Sequence, residues 1–122
     1  MEMRYVVIGA GAVGGTIAGR LARQGQDVIA VARGDHATAL QRHGLRLRTP
    51  DFDEQIPLPT VRGPHEVSLR SDDVLILATK THQAEAALSL WADAPVEDAP
   101  GVTAAAALPI FTALNGVASE RM

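Results

Sequence analysis

The sequence predicts an α/β fold: a doubly wound, mostly parallel sheet with an antiparallel edge excursion around residues 45–60. Short apolar runs rich in β-branched residues recur at "MRYVVI", "DVIAVA" and "DDVLILATK". Stretches with helical spacing of apolar residues lie between and after them. Continuous apolar runs suit strands buried on both faces, and strand–helix alternation builds a parallel sheet. The excursion is the one departure, with strict alternation in "LRLRT" and a turn-rich "PDFD".

In order along the chain, residues 3–8 read as a buried parallel strand ending at Gly9. A helix follows over roughly 12–24, with Val13, Ile17 and Leu21 on one face and Gly25 as its stop. "DVIAVA" is the second strand. Asp35 is expected to cap a short helix through about His43, which Gly44 ends. Residues 45–60 read as a hairpin at a sheet edge, where Pro57 and Pro59 are tolerated. "DDVLILATK" is a central strand, and "THQAEAALSLWA" is a helix with Ala84, Leu88 and Trp91 on one face. The Ala-rich segment 102–107 reads either as a helical turn or as the lead-in to a last strand within "LPIFTALNG", 108–116.

The chain has 122 residues, which is one domain's length, and 47% of them are hydrophobic. A net charge of -3 argues against non-specific nucleic-acid binding. Without cysteine there is no disulfide or thiolate metal site, which fits a cytosolic protein. No membrane span or targeting segment is expected from the apolar runs, which are short or broken. His36, His43, His65 and His82 share no metal-ligand spacing, so no metal is expected. Asp72 and Asp73 precede a strand, at the wrong end of a sheet for chemistry.

The stretch "GAGAVG" comprises Gly9, Ala10, Gly11, Ala12, Val13 and Gly14 and matches G-x-G-x-x-G. A glycine-rich turn with no ligand also fits these letters. Its position, after a strand and opening a helix, gives it the meaning of a dinucleotide-binding loop in a Rossmann-type fold. Gly9 permits the tight turn, Gly11 lets backbone approach a pyrophosphate, and Gly14 lets the helix pack on the strand. The helix N-terminus then offers free N–H groups to the phosphates.

The second strand ends in Arg33, where NAD- and FAD-binding folds place an acid for the ribose hydroxyls. Arginine has no acceptor for those hydroxyls, but its fork matches a 2′-phosphate. Arg33 therefore argues for NADP over NAD, and against FAD and S-adenosylmethionine. A solvated surface arginine is the plainer alternative. Ligands of open α/β sheets sit beyond the carboxyl ends of the strands. Gly9–Gly14, Arg33, Lys80 (the only lysine) and Asn115 all fall there. Each alone fits a solvated residue or a turn; together they point to one ligand edge.

In this order and spacing, "VIGAGAVGG", "VARG", "TKTHQ" and "LNGV" resemble the ketopantoate reductase (2-dehydropantoate 2-reductase) family over most of the chain. The chain departs from the family pattern at Leu114, where the family often has a polar residue, and in a longer Ala/Pro-rich segment before Asn115. The resemblance implies NADPH-dependent reduction of 2-dehydropantoate to (R)-pantoate, on the route to pantothenate and coenzyme A. It implies cofactor contacts from Gly9–Gly14, Arg33, Thr79, Lys80, Gln83 and Asn115. Arg33 and Lys80 would hold the 2′-phosphate and ribose, Gln83 would lie along the cofactor path, and Asn115 would stand by the nicotinamide and substrate as the catalytic residue. Residues 1–122 would be the NADP-binding domain, with the family's helical domain and its catalytic lysine and glutamate outside them. The other readings are a non-catalytic NADP(H)-binding module and a reductase of another 2-oxo acid. Val102, Leu108, Ile110, Phe111, Leu114 and Val117 predict an apolar face through which the chain forms a homodimer.

Overall fold

In the computed structural model, residues 3–9, 12–48, 50–51, 53–79 and 81–112 are described, with 12, 13 and 81–83 described through their backbone. Five parallel strands form the main sheet: β1 (Arg4–Ile8), β2 (Asp27–Val31), β5 (Thr60–Val61), β6 (Asp73–Leu77) and β7 (Ile110–Thr112). Their spatial order is β5-β2-β1-β6-β7. The chain therefore builds outward from β1 in one direction, then returns and builds outward in the other. Such a reversal leaves a crevice beyond the carboxyl ends of the two strands that flank it, here β1 and β6.

Both faces of the sheet are covered, which is why its strands read as unbroken apolar runs. Val6 and Ile8 of β1 pack with Leu75, Leu77 and Trp91 on one face. Val7 packs with Ala18, Val28, Ala30 and Leu40 on the other. The helices α1 (Ala12–Arg23) and α2 (Gly34–His43) supply the second layer, while α3 (Thr81–Ala92) and α4 (Ala104–Ala107) supply the first. The Ala-rich segment is thus a helical turn, closed by the Leu108 N–H donating to the Ala104 carbonyl at 2.9 Å. Among the described residues, no helix is long and apolar enough to cross a membrane.

Several local expectations are corrected. The N-cap of α2 is Arg33, in extended backbone without a side-chain capping bond, so Asp35 sits inside the first turn. The hairpin β3 (Leu45–Arg48) and β4 (Asp53–Ile56) forms its own two-stranded sheet and does not join the main sheet's edge. It lies on α1, where Gly19 leaves room for Leu45 and Leu47. The main sheet's edge next to β2 is β5, and Pro59 serves it without an N–H: its carbonyl accepts from the Ala30 N–H at 2.8 Å. On α3 the inward stripe is Ala84, Ala87 and Trp91, while Leu88 is exposed. Of the apolar face expected near the end of the chain, Leu108 turns into the core and Phe111 on β7 is exposed. Leu114 and Val117 lie outside the described residues.

Candidate functional site

The candidate site lies at the crevice between the ends of β1 and β6. Backbone hydrogen bonds hold the strand ends level there. The Ala78 N–H donates to the Ile8 carbonyl at 2.8 Å, and the Gly9 N–H donates to the Val31 carbonyl at 3.0 Å. Gly9 takes a positive φ of 95°, which L side chains rarely adopt. Space excludes them as well: a Cβ on Gly9 would stand 2.8 Å from Thr79 Cγ2 and 3.1 Å from the Thr79 nitrogen.

Gly14, in the first turn of α1, is tighter still. A Cβ there would overlap the Gly9 carbonyl oxygen and stand 3.1 Å from the Ala78 Cβ. The helix start, the end of β1 and the end of β6 therefore meet as backbone against backbone. Gly9 makes a turn at positive φ, and Gly14 packs the start of α1 closely on the end of β1. Ala10 and Gly11 lie outside the described residues, and Ala12 and Val13 are placed through the backbone in the first turn of α1.

Thr79 follows β6 at this junction. Its Oγ1 is buried and has no hydrogen-bond partner among the described residues. A buried hydroxyl without a partner is costly, and such groups in folded proteins usually meet a partner, a water or a ligand. Ala78 is the residue that sequence reasoning passed over: its small side chain is what Gly14 approaches. The signal was available, since Ala78 directly follows the apolar run.

Arg33 stands at the end of β2, exposed, and its side chain has no hydrogen bond or ion pair among the described residues. No acid occupies the strand end: Asp27 is at the opposite end of β2, and Asp35 is in the turn after it. Gln83 falls in the first turn of α3, directly after the end of β6. Lys80 and Asn115 lie outside the described residues. The structure thus brings together Gly9, Gly14 and Thr79, with Arg33 beyond the end of β2, the strand next to β1. These residues fit a nicotinamide dinucleotide. The close packing at Gly9 and Gly14 seats the start of α1 on the ends of β1 and β6, where its free N–H groups suit a phosphate; Thr79 Oγ1 supplies an unspent hydrogen-bonding group, and Arg33 a cation without an ion pair among the described residues.

A family model described as ketopantoate reductase PanE/ApbA matches residues 5–121. A 2-dehydropantoate 2-reductase of Mesorhizobium japonicum is 38% identical over 87 residues, covering 70% of this chain and 26% of that protein. The crystal structure of a PanE/ApbA family ketopantoate reductase from Ralstonia eutropha JMP134 is similar with a TM-score of 0.76. It is 31% identical and covers 96% of this chain and 36% of that one. A ternary structure of D-mandelate dehydrogenase with NADH and anilino(oxo)acetate is similar with a TM-score of 0.73 at 25% identity, covering 98% of this chain and 35% of that one. The chain spans about a quarter of the length of the curated relatives it matches and about a third of these solved structures.

Proposed function

This chain belongs to the ketopantoate reductase PanE/ApbA family, and from that premise we propose that it is the NADP(H)-binding part of a cytoplasmic oxidoreductase that reduces 2-dehydropantoate to (R)-pantoate. The observation that carries the reading is the glycine cradle at the crevice, where no Cβ fits on Gly9 or Gly14. When bound, NADPH supplies the hydride, and the protein supplies binding and orientation. Gly9–Gly14 hold the pyrophosphate through backbone N–H groups and the start of α1. Arg33 and Lys80 take the 2′-phosphate and ribose. Thr79 and Gln83 line the path between the two halves of the cofactor, and Asn115 orients the nicotinamide and the reacting carbonyl. The share of these 122 residues in the reaction is cofactor binding. Turnover by them alone at an ordinary enzyme's rate would overturn that division.

A second reading is favoured by the D-mandelate dehydrogenase likeness. That structure holds NADH and anilino(oxo)acetate, so the second reading is a reductase of another 2-oxo acid that uses NADH. Arg33 separates the two cofactors, because a charge-assisted contact to a 2′-phosphate is worth roughly tenfold in affinity or more. Titration with NADPH and NADH, followed by nicotinamide fluorescence, should show NADPH at least about tenfold tighter. Arg33→Asp should abolish that preference. Equal affinities in the unaltered chain would remove NADP from the reading. Failure to bind either at millimolar concentration would remove the dinucleotide.

A further inference from the structure

The arginines of this chain divide by where they stand. Arg4, Arg23, Arg46, Arg48 and Arg70 each face a carboxylate at 2.6–3.6 Å. Arg62 does not: its guanidinium is held by neutral groups of α2. Nη2 donates to Thr38 Oγ1 at 2.9 Å, and Nη1 donates to Gln41 Oε1 at 3.3 Å. The Gln41 amide is itself oriented, since its Nε2 donates to the Thr60 carbonyl at 3.0 Å and leaves Oε1 to accept. Glu66 is engaged instead by the Arg62 backbone N–H, at 2.8 Å. Two of five guanidinium donors are spent on positioning, and the charge has no ion pair among the described residues.

Position gives this a meaning. Arg62 directly follows β5, and β5 pairs with β2 in parallel, Val31 beside Val61. The Ala32 N–H donates to the Val61 carbonyl at 3.1 Å, so the two strand ends leave the sheet together. Continued by one residue, the register sets Arg62 beside Ala32, so Arg33 and Arg62 stand on neighbouring strand ends at the same edge of the sheet, offset by one residue. Asp35 in the adjoining turn and Glu66 on the Arg62 backbone N–H are the carboxylates beside the two arginines, and neither forms an ion pair with either guanidinium among the described residues.

We propose that Arg62 is a specificity-determining residue, the second cation of the 2′-phosphate subsite, set on the far side of the phosphate from Arg33. The proposal rests on the NADP(H) reading above. Thr38 and Gln41 act through Arg62 as positioning residues. A guanidinium already fixed by two hydrogen bonds loses less freedom when it grips an anion, which favours a held arginine over a mobile one.

The test is calorimetric titration of the chain with NADPH, NADH and adenosine 2′,5′-bisphosphate, for the unaltered protein, Arg62→Gln, Arg62→Lys and Arg33→Asp. Arg62→Gln should weaken NADPH and the bisphosphate by about tenfold, with NADH within about twofold. Arg62→Lys keeps the charge but loses the fork, and should fall between. Should Arg62→Gln prove poorly folded by its thermal melt, Arg62→Lys carries the decision alone. A preference for NADPH that Arg33→Asp abolishes and both Arg62 variants leave intact would overturn the assignment while the NADP(H) reading stands. Equal losses for NADPH and NADH would also overturn it, since the 2′-phosphate is what separates them. An unaltered chain without NADPH preference would overturn both.

Discussion

Gly14→Ala should weaken NADPH binding by at least about tenfold and cost the fold about 1–3 kcal/mol, the range expected when an atom is forced into a filled site. Gly19→Ala, on the same helix, should do neither. Both substitutions place an alanine in α1, which by propensity alone stabilises by up to about 1 kcal/mol, most in the helix interior. What differs is the neighbour. On Gly14 the new Cβ meets the Gly9 carbonyl, which is backbone and is tied through its own N–H to β2. Relief requires the helix start to leave the strand end, and that movement opens the cradle the phosphates need. On Gly19 the new Cβ meets Leu45 Cδ2 at 2.6 Å, the far end of a flexible side chain on the hairpin. A small rotation there relieves it, far from the crevice. Urea midpoints and NADPH titrations of the two variants decide the matter. Gly14→Ala binding NADPH within about twofold of the unaltered chain would show that the cradle is not where the cofactor is held.

The parts of this fold that were legible in the sequence are those whose signal is local. The run "VLIL" and the helix 81–92 announce themselves by burial and period, and the helix ends where the letters place it. The strand β5 was not legible. It is two residues long, follows two prolines, and owes its register to β2 rather than to a pattern of its own. Because β5 was hidden, so was Arg62, whose place at the ligand edge exists only once that strand is paired. The Asp35 cap failed for a different reason: the letters "RGDH" allow two helix starts, and the chain takes the one two residues earlier, with Arg33 as the cap and Gly34 turning in at a φ of 59°. On α3, Leu88 and Ala87 both fit an inward stripe drawn back from Trp91. Contacts across the sheet choose Ala87, which packs into the core, while Leu88 is 38% exposed. The site divides in the same way. Its glycines and Arg33 could be read from spacing, but Ala78 and the orphaned hydroxyl of Thr79 needed the third dimension.

The other large effect is expected at the opposite end of the sheet. Asp73 is fully buried, and its carboxylate accepts from Arg4 Nε at 2.8 Å, Arg4 Nη2 at 2.7 Å and the Arg70 N–H at 2.8 Å. The Asp73 hydrogen bond is also the largest cause that raises the Arg4 guanidinium above its ordinary pKa. This fork ties the start of β1 to the start of β6, the two strands that flank the crevice. Asp73→Ala removes three acceptor contacts and leaves Arg4, 17% exposed, without its counter-charge. Breaking a buried pair by deleting one partner costs about 3–5 kcal/mol, and partial solvation of Arg4 favours the lower end. A domain of this size holds roughly 5–15 kcal/mol in total, so the variant should unfold at a markedly lower urea concentration. The double variant Arg4→Met/Asp73→Leu should recover much of the loss, because no charge is then left buried alone. Folded Asp73→Ala should still bind NADPH with unchanged affinity, since the pin stands at one edge of the sheet and the proposed cofactor site at the other. A loss below about 1 kcal/mol for Asp73→Ala would mean that solvent replaces the carboxylate at the β1 and β6 starts, and that packing alone keeps the two strands in register.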